Sequence, residues 1–423
     1  MATTELKYGD SHFFFEFDDE RFRVLETGKT EHALTDLEIG EQLDQPIGSP
    51  AIEEFVEPGE KVLIVVPDAT REVACGQVIN VVVRRLIANG TAPFDINIIF
   101  ATGIHRRVTD DEKRAIVTPF IVQRIKTLDH SPRDIAQLVR LGETSDGIPI
   151  ELNRALVDNQ KIILIGGIAF HYFAGLTGGR KLICPGLASS RTISATHKLA
   201  FDCERKTRRS GVGTALLDGN AVHEAFVDAA LAIKPVLCIS TFVNDAGELT
   251  GLICGDLIAS HRKACDSFSA EHSLKISEKR GLVIASCGGL PYDINLIQAH
   301  KALDAASRAC LDGGTIILLA ECSDGLGRAD FLKWFETKDS SELADRLCEG
   351  YQVNGQTAWN LMRINERVQV RIVTELSAGN IEKMGMKHCP SLAEALNGID
   401  LTRGGFIVPT CSRIRVVNED NNC

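Results

Sequence analysis

Short runs of aliphatic and β-branched residues alternate with longer amphipathic segments along this chain. Three such runs, KVLIVVPDATR (61–71), INIIFATGIHR (96–106) and KIILIGGIAFH (161–171), each end in polar residues. The residues between the first two runs have the pattern of a helix up to Asn89 and Gly90. Apolar strands joined by helices are typical of parallel sheets whose faces are covered by helices. The sequence therefore predicts an α/β fold with mainly parallel sheets.

The polar residues that follow these three strands are the first candidates for a functional site. Asp68, Thr70 and Arg71 follow the first strand, His105 follows the second and His171 follows the third. Ligands of open parallel sheets bind beyond the carboxyl ends of the strands, so we expect these side chains to face one crevice. The planar fork of donors on Arg71 can hold a carboxylate or phosphate there, although a structural ion pair explains it equally well.

The segment HYFAGLTGGRKLICPGLASSRTISATH (171–197) concentrates reactive residue types. Glycines before Lys181 let the backbone approach a ligand and present its N–H groups, which suits a phosphate. Lys181 can pair with a phosphate or, if desolvated, act as an amine nucleophile or covalent anchor. The segment ends at His197, and a neutral imidazole is a good metal ligand. We interpret this segment as part of a reaction centre.

Histidine is scarce in this chain, with eleven residues in all. A structural hydrogen bond explains any one of His105, His171 and His197 as well as catalysis does, but three around one predicted crevice favour a function. The remaining histidines lack such company and are expected at the surface; they include His12, His32, His223, His261, His272 and His388.

A second α/β unit is predicted downstream. It begins at 281–303, continues through 315–327 and resumes at 368–376. Gln298 and Lys301 stand at i, i+3 spacing, so on a helix they share a face that can bind an oxyanion. The alternative is an ordinary solvated pair.

The domain prediction follows from this organisation. We expect a cofactor-binding and catalytic domain over 1–272 and an α/β domain over 276–404 that contributes substrate-binding residues. The polar segment 271–281 is the predicted linker. The strand-like run near the end is ambiguous, because 405–423 could complete either the first domain or the second sheet.

Composition excludes several classes of protein. The net charge of −11 and the pI near 5.5 argue against nucleic-acid binding, and the one basic run (205–210) is interpreted as a solvated loop or else as a local anion contact. Thirteen cysteines without a C-x-x-C pair indicate mostly buried thiols in a reducing compartment. The N-terminal residues do not resemble a secretory signal, and no apolar run approaches the roughly 20 residues that span a bilayer. We therefore expect a cytoplasmic protein with no membrane partner.

Three general enzyme classes are each inconsistent with a specific feature of the sequence. A zinc hydrolase lacks its H-E-x-x-H motif. A pyridoxal enzyme could use Lys181, but no acidic partner for the pyridinium nitrogen is evident. A P-loop requires Ser or Thr after the lysine, where this chain has Leu182.

The motifs resemble those of the nickel-dependent lactate racemase family of 2-hydroxyacid racemases and epimerases, over most of the chain. The central H-x-x-A-G-x-x-G-G-x-K-x-x-x-P-G segment is very specific, whereas D-x-T-R and Q-x-x-K alone are weak. The matching segments are DATR (68–71), ATGIH (101–105), the central segment (171–186), TIxxxH (192–197) and the Q-x-x-K pair (298–301).

The resemblance implies a cofactor, nickel pyridinium-3,5-bisthiocarboxylate mononucleotide, in which two sulfurs and a ring carbon hold nickel as a pincer. Lys181 matches the lysine that carries this nucleotide covalently, and His197 matches the nickel-ligating histidine. Soft sulfur and imidazole ligands both suit nickel. The loop that matches the family's cofactor contacts comprises Asp68, Ala69, Thr70 and Arg71.

The resemblance also implies a reaction. His105 and His171 match the two proton donors and acceptors, while Arg71, Gln298 and Lys301 match substrate contacts. Reversible hydride transfer from C2 to the cofactor would invert a small, lactate-like 2-hydroxy acid through a flat 2-keto acid. The alternatives are a C2 epimerase of a longer, gluconate-like sugar acid and a non-catalytic carrier of the cofactor. The expected partners are the substrate and the cofactor-synthesis enzymes.

Overall fold

The computed structural model describes residues 1–27, 32–71 and 73–419. Within these ranges the strands are β1 (Ala2–Tyr8), β2 (Ser11–Phe17), β3 (Phe22–Val24), β4 (Val62–Pro67), β5 (Ile96–Ala101), β6 (Lys126–Asp129), β7 (Leu138–Glu143), β8 (Pro149–Asn153), β9 (Lys161–Gly167), β10 (Phe170–His171), β11 (Ala174–Leu176), β12 (Phe201–Asp202), β13 (Thr207–Arg208), β14 (Gly213–Thr214), β15 (Val236–Val243), β16 (Leu249–Asp256), β17 (Ser273–Ile276), β18 (Arg280–Ser286), β19 (Cys310–Leu319), β20 (Gln369–Val373), β21 (Lys387–Cys389), β22 (Gly405–Val408) and β23 (Arg415–Asn418).

Helices connect most of these strands. They are α1 (Asp36–Leu43), α2 (Ile52–Phe55), α3 (Cys75–Ala88), α4 (Asp110–Val117), α5 (Pro119–Arg124), α6 (Ala155–Asp158), α7 (Arg180–Ile183), α8 (Ser190–Lys198), α9 (Ala221–Leu231), α10 (Ala259–His272), α11 (Leu296–Ser307), α12 (Ser340–Glu349), α13 (Val353–Arg367), α14 (Ala378–Lys383) and α15 (Leu392–Leu396).

The described chain divides into two compact units. The first unit comprises 30–200 and 210–268, and the second unit comprises 1–29, 201–209 and 269–423, in each case the described part of these ranges. The prediction placed everything up to residue 272 in the first domain. In the structure, the second unit begins at 269 and also contains the N-terminal strands and the β12–β13 hairpin. The assignment of roles to domains stays a prediction.

The sheet of the first unit has the order β16-β15-β9-β4-β5-β6, and only the edge strand β16 pairs antiparallel. Its central strand β4 is buried at every position, as a continuous apolar run predicts for a strand covered on both faces. Helix α3 packs against one face with a stripe of apolar residues that includes Val78, Ile79 and Val82.

The sheet of the second unit is parallel throughout, in the order β21-β20-β19-β18-β22-β3. Strand β22 lies between β18 and β3, so the ambiguous run near the end of the chain belongs to this sheet, while residues 420–423 lie outside the described ranges. The predicted linker is wrong, because it contains β17, which pairs with β23. The predicted α/β class with mainly parallel sheets is confirmed.

Two expectations about cysteine and basic residues are modified. The free cysteines of the described ranges are all buried, as predicted, but Cys203 and Cys348 form a disulfide. The basic run is not simply a solvated loop. It includes strand β13, where Arg208 bonds the carboxylate of Asp304 at 3.4 Å and the amide oxygen of Asn360 at 3.0 Å. None of the described helices is both long enough and apolar enough to cross a bilayer.

Candidate active site

Three of the predicted site residues follow three neighbouring strands of the first unit. Strands β9, β4 and β5 are adjacent and parallel, so their carboxyl ends lie side by side. Asp68 follows β4, His105 lies four residues beyond β5, and His171 lies four residues beyond β9. The strand order therefore places all three residues at the carboxyl-end edge of this sheet, and the crevice between them stays a prediction.

Asp68 and His105 form a short charged hydrogen bond. The Nδ1 atom of His105 lies 2.6 Å from Oδ2 of Asp68, a carboxylate that is 6% exposed. Burial alone would raise the pKa of Asp68, but the charge and hydrogen bond of His105 lower it overall, with help from Arg71. Asp68 is therefore ionised and accepts a hydrogen bond from Nδ1 of His105, which leaves Nε2 as the ring nitrogen that does not face Asp68.

The loop that follows β4 is folded on itself. The second oxygen of Asp68 accepts hydrogen bonds from the backbone N–H of Thr70 at 3.0 Å and from its hydroxyl at 2.6 Å. Arg71 donates from Nη1 to the carbonyl and hydroxyl oxygens of Thr70 at 3.0 and 3.1 Å. Ala69 lies between them and adds no polar group. These contacts fix the direction in which Asp68 faces His105.

His171 lies in a narrow aromatic setting on strand β10 and is 7% exposed. Its ring is nearly parallel to that of Tyr172, with centroids 5.4 Å apart, and meets Phe173 edge to face at 4.5 Å. The backbone N–H of Ala174 donates to Nδ1 at 3.3 Å. The two predicted catalytic histidines thus have different partners, a carboxylate for His105 and a backbone donor for His171.

His197 lies on helix α8, which begins after the capping residue Ser189. Its Nδ1 donates to the carbonyl of Ile193 at 2.8 Å, one turn earlier on the same helix. Burial, together with the nearby charge of Lys181, lowers the pKa of His197 to about 3. The ring is therefore neutral at physiological pH and presents the lone pair of Nε2, which is the form that binds a metal ion.

Lys181 is close to His197 and shares a neighbour with it. The ammonium nitrogen of Lys181 lies 5.8 Å from the centroid of the Phe226 ring, and the same ring packs against His197 at 5.3 Å. The effect of the Lys181 charge on the pKa of His197 reflects this proximity.

The glycine turn before Lys181 is explained by packing within the protein. Gly179 has φ +49°, and a Cβ atom there would lie 2.7 Å from the ring of His261. Packing against His261 is therefore sufficient reason for glycine at this position, and close approach to a ligand stays a prediction. The expectation that His261 lies at the surface is wrong, since the residue is 3% exposed; His272 is likewise buried.

The buried side chain of Arg180 forms hydrogen bonds with the backbone of the same turn. It is 1% exposed and donates to the carbonyl oxygens of Ala174, Thr177 and Gly178 at 2.9–3.3 Å, and to Nε2 of His261 at 2.9 Å. Burial lowers the pKa of Arg180 to about 10. The sequence assigned no role to this residue, because nothing local distinguishes a buried arginine from a solvated one.

Gln298 and Lys301 lie on helix α11 of the second unit. Asn295 caps this helix by accepting the backbone N–H of Gln298, and the ammonium of Lys301 donates to the side-chain oxygen of Gln298. The predicted shared face is thus present. Gln298 is 6% exposed, so the alternative of a solvated pair is wrong for this residue. The binding role of both residues stays a prediction.

A metal held by the chain alone is not evident. In the ranges 1–27, 32–71 and 73–419, no three His, Cys, Asp or Glu side chains are grouped so that they could hold a metal ion. The donor chemistry fits the implied cofactor, which brings its own sulfur ligands. It requires one neutral imidazole and one lysine amine, and the structure has His197 and Lys181 against the same phenylalanine ring.

Comparison with protein families gives matches in both parts of the chain. Residues 8–209 match the lactate racemase N-terminal domain, and residues 276–405 match the lactate racemase C-terminal domain.

Two relatives named lactate racemase span most of the chain. A lactate racemase of Thermoanaerobacterium thermosaccharolyticum is 28% identical over 406 residues and covers 94% of each chain. A lactate racemase of Lactiplantibacillus plantarum is 32% identical over 352 residues, which are 82% of this chain and 81% of the relative.

Solved structures agree with these relatives. The lactate racemase apoprotein of T. thermosaccharolyticum superposes with a TM-score of 0.87 at 27% identity, over 98% of this chain and all of that one. A protein from Thermotoga maritima superposes with a TM-score of 0.72 over 92% of this chain and all of that one. At 18% identity, it supports the fold alone.

Proposed function

Because this chain belongs to the lactate racemase family and is an isomerase of the 2-hydroxyacid racemase and epimerase class, we propose that it inverts C2 of a small, lactate-like 2-hydroxy acid. The observation that carries this proposal is the pairing of His105 with the buried, ionised Asp68 in the same unit as the neutral His197. Together these groups can move a proton and ligate a metal, as such a reaction requires.

His105 acts as a proton acceptor for the substrate hydroxyl. The hydrogen bond from Nδ1 to Asp68 fixes the ring and directs Nε2 away from the carboxylate. When Nε2 takes the hydroxyl proton, the ring becomes a cation, and the negative charge of Asp68 stabilises that cation. The return of the proton regenerates the hydroxyl.

His171 serves the opposite enantiomer. Inversion exchanges the face of C2 on which hydrogen is carried, so the hydroxyl of the product needs its own proton donor and acceptor. The ring of His171 is held by Tyr172 and Phe173 and is shielded from bulk water. Exclusion of water from this histidine protects the flat keto acid from side reactions.

The residues for the cofactor are Lys181, His197 and the loop Asp68–Arg71. When bound, the nickel-pincer nucleotide supplies the acceptor and donor of hydride for C2. Lys181 attaches the nucleotide, His197 offers Nε2 to nickel, and the loop contacts the nucleotide. The neutral state of His197 and its bond to Ile193 support this assignment, because a ligand ring needs one nitrogen held and the other unprotonated.

Arg71, Gln298 and Lys301 are proposed to bind the substrate. Cationic and amide donors suit the carboxylate and the C2 oxygen of a 2-hydroxy acid. The hydrogen bond between Lys301 and Gln298 holds both groups on one side of α11, which supports their action as a pair.

The decisive experiment uses protein produced together with the cofactor-synthesis enzymes. His105→Ala and His171→Ala should each abolish racemisation while nickel and the Lys181 adduct remain, with the exposed His12→Ala as a control of unchanged activity. Nickel content, intact mass and chiral product analysis are the measurements. Full activity of either catalytic-site variant with its metal in place would contradict the proposal.

Substrate and mechanism require two further measurements. A panel that runs from lactate to gluconate-like sugar acids separates the racemase from the C2 epimerase, and a loaded protein that converts none of them would be a carrier. With C2-deuterated substrate, retention of deuterium in the inverted product supports internal hydride return. Rapid loss of deuterium to water would favour a carbanion instead.

A further inference from the structure

The imidazole of His197 lies between two buried phenylalanine rings. Phe173 meets it edge to face, with centroids 5.3 Å apart and planes at 70°. Phe226 packs on it at 5.3 Å with planes at 54°. The two phenylalanines are 3% and 0% exposed. With Nδ1 bonded to Ile193, the imidazole is therefore restrained by two rings and one hydrogen bond.

Phe226 touches the second cofactor residue as well. The ammonium nitrogen of Lys181 lies 5.8 Å from the centroid of the Phe226 ring. A single apolar side chain on helix α9 thus contacts both the proposed metal ligand and the proposed covalent anchor. It offers no polar atom that would compete with nickel for His197 or form an ion pair with Lys181.

Asn220 connects the two backbone segments that carry Phe173 and Phe226. It is 0% exposed and caps α9 by accepting the backbone N–H groups of Val222 and His223. Its amide also donates to the carbonyl oxygen of Phe173 at 2.9 Å. The helix that carries Phe226 therefore begins at a residue bonded to the backbone of Phe173.

We propose that Phe226 is a positioning residue that fixes the His197 imidazole relative to Lys181, with Asn220 setting the start of its helix. This inference rests on the proposed function. A group attached to one residue and ligated by another tolerates little change in their separation, because metal–ligand distances vary by only about 0.2 Å. Residues that orient a metal ligand typically change metal affinity about 10–100-fold when they are altered.

The test compares Phe226→Leu with Phe331→Leu. Phe331 is also 0% exposed but lies in the core of the second unit, so both changes remove a buried ring. In protein produced with the cofactor-synthesis enzymes, we expect both variants to form the Lys181 adduct. Nickel should leave Phe226→Leu at least about 10-fold faster in the presence of a chelator, and Phe331→Leu should retain it as wild type does.

A second readout needs no cofactor. In cofactor-free protein labelled with ¹⁵N-histidine, the Nδ1–H signal of His197, assigned by loss in His197→Gln, reports the bond to Ile193. Exchange of this proton with water should accelerate at least about 10-fold in Phe226→Leu and stay unchanged in Phe331→Leu. If Phe226→Leu does not fold, Phe226→Met keeps the apolar volume without the ring and repeats both measurements.

The outcomes separate the two hypotheses. Equal nickel retention and equal proton exchange in the two leucine variants would overturn the role of Phe226. Wild-type protein without adduct and nickel would overturn the proposed function. The exchange experiment would still decide whether Phe226 orders His197.

Discussion

The bond between Asp68 and His105 joins two residues that are 37 positions apart in the sequence. A buried carboxylate beside an imidazole does two things. It fixes the tautomer of the ring, and it stabilises the cation that forms when the ring accepts a proton. The proton chemistry proposed for this site therefore depends on the charge of Asp68 as well as on His105.

Asp68→Asn removes that charge while it preserves the size of the side chain. We expect kcat for 2-hydroxyacid inversion to fall about 10²–10⁴-fold per loaded chain, the usual contribution of general acid–base catalysis. Asp129→Asn is the matched control, because Asp129 pairs with Lys113 in the same unit. Initial rates normalised to the Lys181 adduct are the measurement. An equal, small effect of both changes would show that Asp68 acts only through stability.

Arg180 makes a separate prediction at this scale. Arg180→Met leaves the carbonyls of Ala174 and Gly178 without this buried donor, and an unsatisfied buried acceptor costs about 1–3 kcal/mol. We expect the free energy of unfolding to fall by a net amount within that range, because removal of the buried charge offsets part of the loss. Urea unfolding of this variant, with the exposed Arg84→Met as control, is the measurement. Equal free energies of unfolding for the two variants would contradict a stabilising role for the hydrogen bonds of Arg180.

The sequence identified residues whose chemistry is visible locally. His105, His171 and Lys181 were predicted because a strand end or a glycine turn places reactive groups beside one another. Phe226 and Asn220 were not predicted, because a phenylalanine in an apolar helix and an asparagine at a helix start look like ordinary core and cap residues. Their importance arises from contacts with groups far away in the sequence.

At the scale of elements, several kinds of contact join the β12–β13 hairpin to the rest of the second unit. Phe201 meets Trp359 edge to face at 4.9 Å, and Lys206 pairs with Asp345. The disulfide of Cys203, in the turn of the hairpin, reaches helix α12 across 145 positions of sequence. The hairpin therefore folds with the second unit, although its neighbours in sequence belong to the first.

Loss of this disulfide should destabilise the protein. Cys203→Ser and Cys348→Ser should each lower the free energy of unfolding by about 2–5 kcal/mol, and the double variant should lose no more than either one. Urea unfolding without reductant is the measurement, and free-thiol counting is its control. Addition of reductant should bring wild type to the level of the variants; a wild type indifferent to reductant would contradict this prediction.

The positions of strands were easier to predict from the sequence than the pairing between strands. Two of the three runs, β4 and β5, end where the sequence indicated, because apolar runs followed by polar residues mark strand ends locally. The third strand, β9, ends earlier than predicted, at Gly167, although the apolar run continues to residue 170. Strand β17 was mistaken for a linker, since the polar segment 271–281 has no apolar pattern and its strand is defined by pairing with the distant β23. Pairing between distant segments has no local signal.

At the scale of the whole molecule, stability depends on how each unit buries its ionisable groups. Asp293 in the second unit is 0% exposed. One of its carboxylate oxygens accepts the backbone N–H groups of Gly9 and Glu321 at 2.8 and 3.2 Å, and the other has no hydrogen-bond partner among the described residues. Burial raises the pKa of Asp293, those backbone bonds oppose the rise, and the charge of Asp10 adds to it.

The sign of the resulting pH dependence follows from this direction. The folded protein holds the Asp293 proton more tightly than the unfolded chain, whose aspartates have a pKa of about 3.9. The contribution of this group to stability is therefore complete below that value. It declines as the pH rises through the interval up to the folded-state pKa, because the unfolded chain ionises first.

Asp293→Asn removes this titration and keeps an oxygen for both backbone donors. The variant should unfold with a free energy above that of wild type at pH 7. The difference should shrink as the pH falls below the folded-state pKa of Asp293, because the protonated carboxyl group resembles the amide. Urea unfolding at several pH values is the measurement. The exposed Asp146→Asn is the control, for which we expect no such trend. A constant difference between Asp293→Asn and wild type at every pH would show that the buried carboxyl does not titrate in this range.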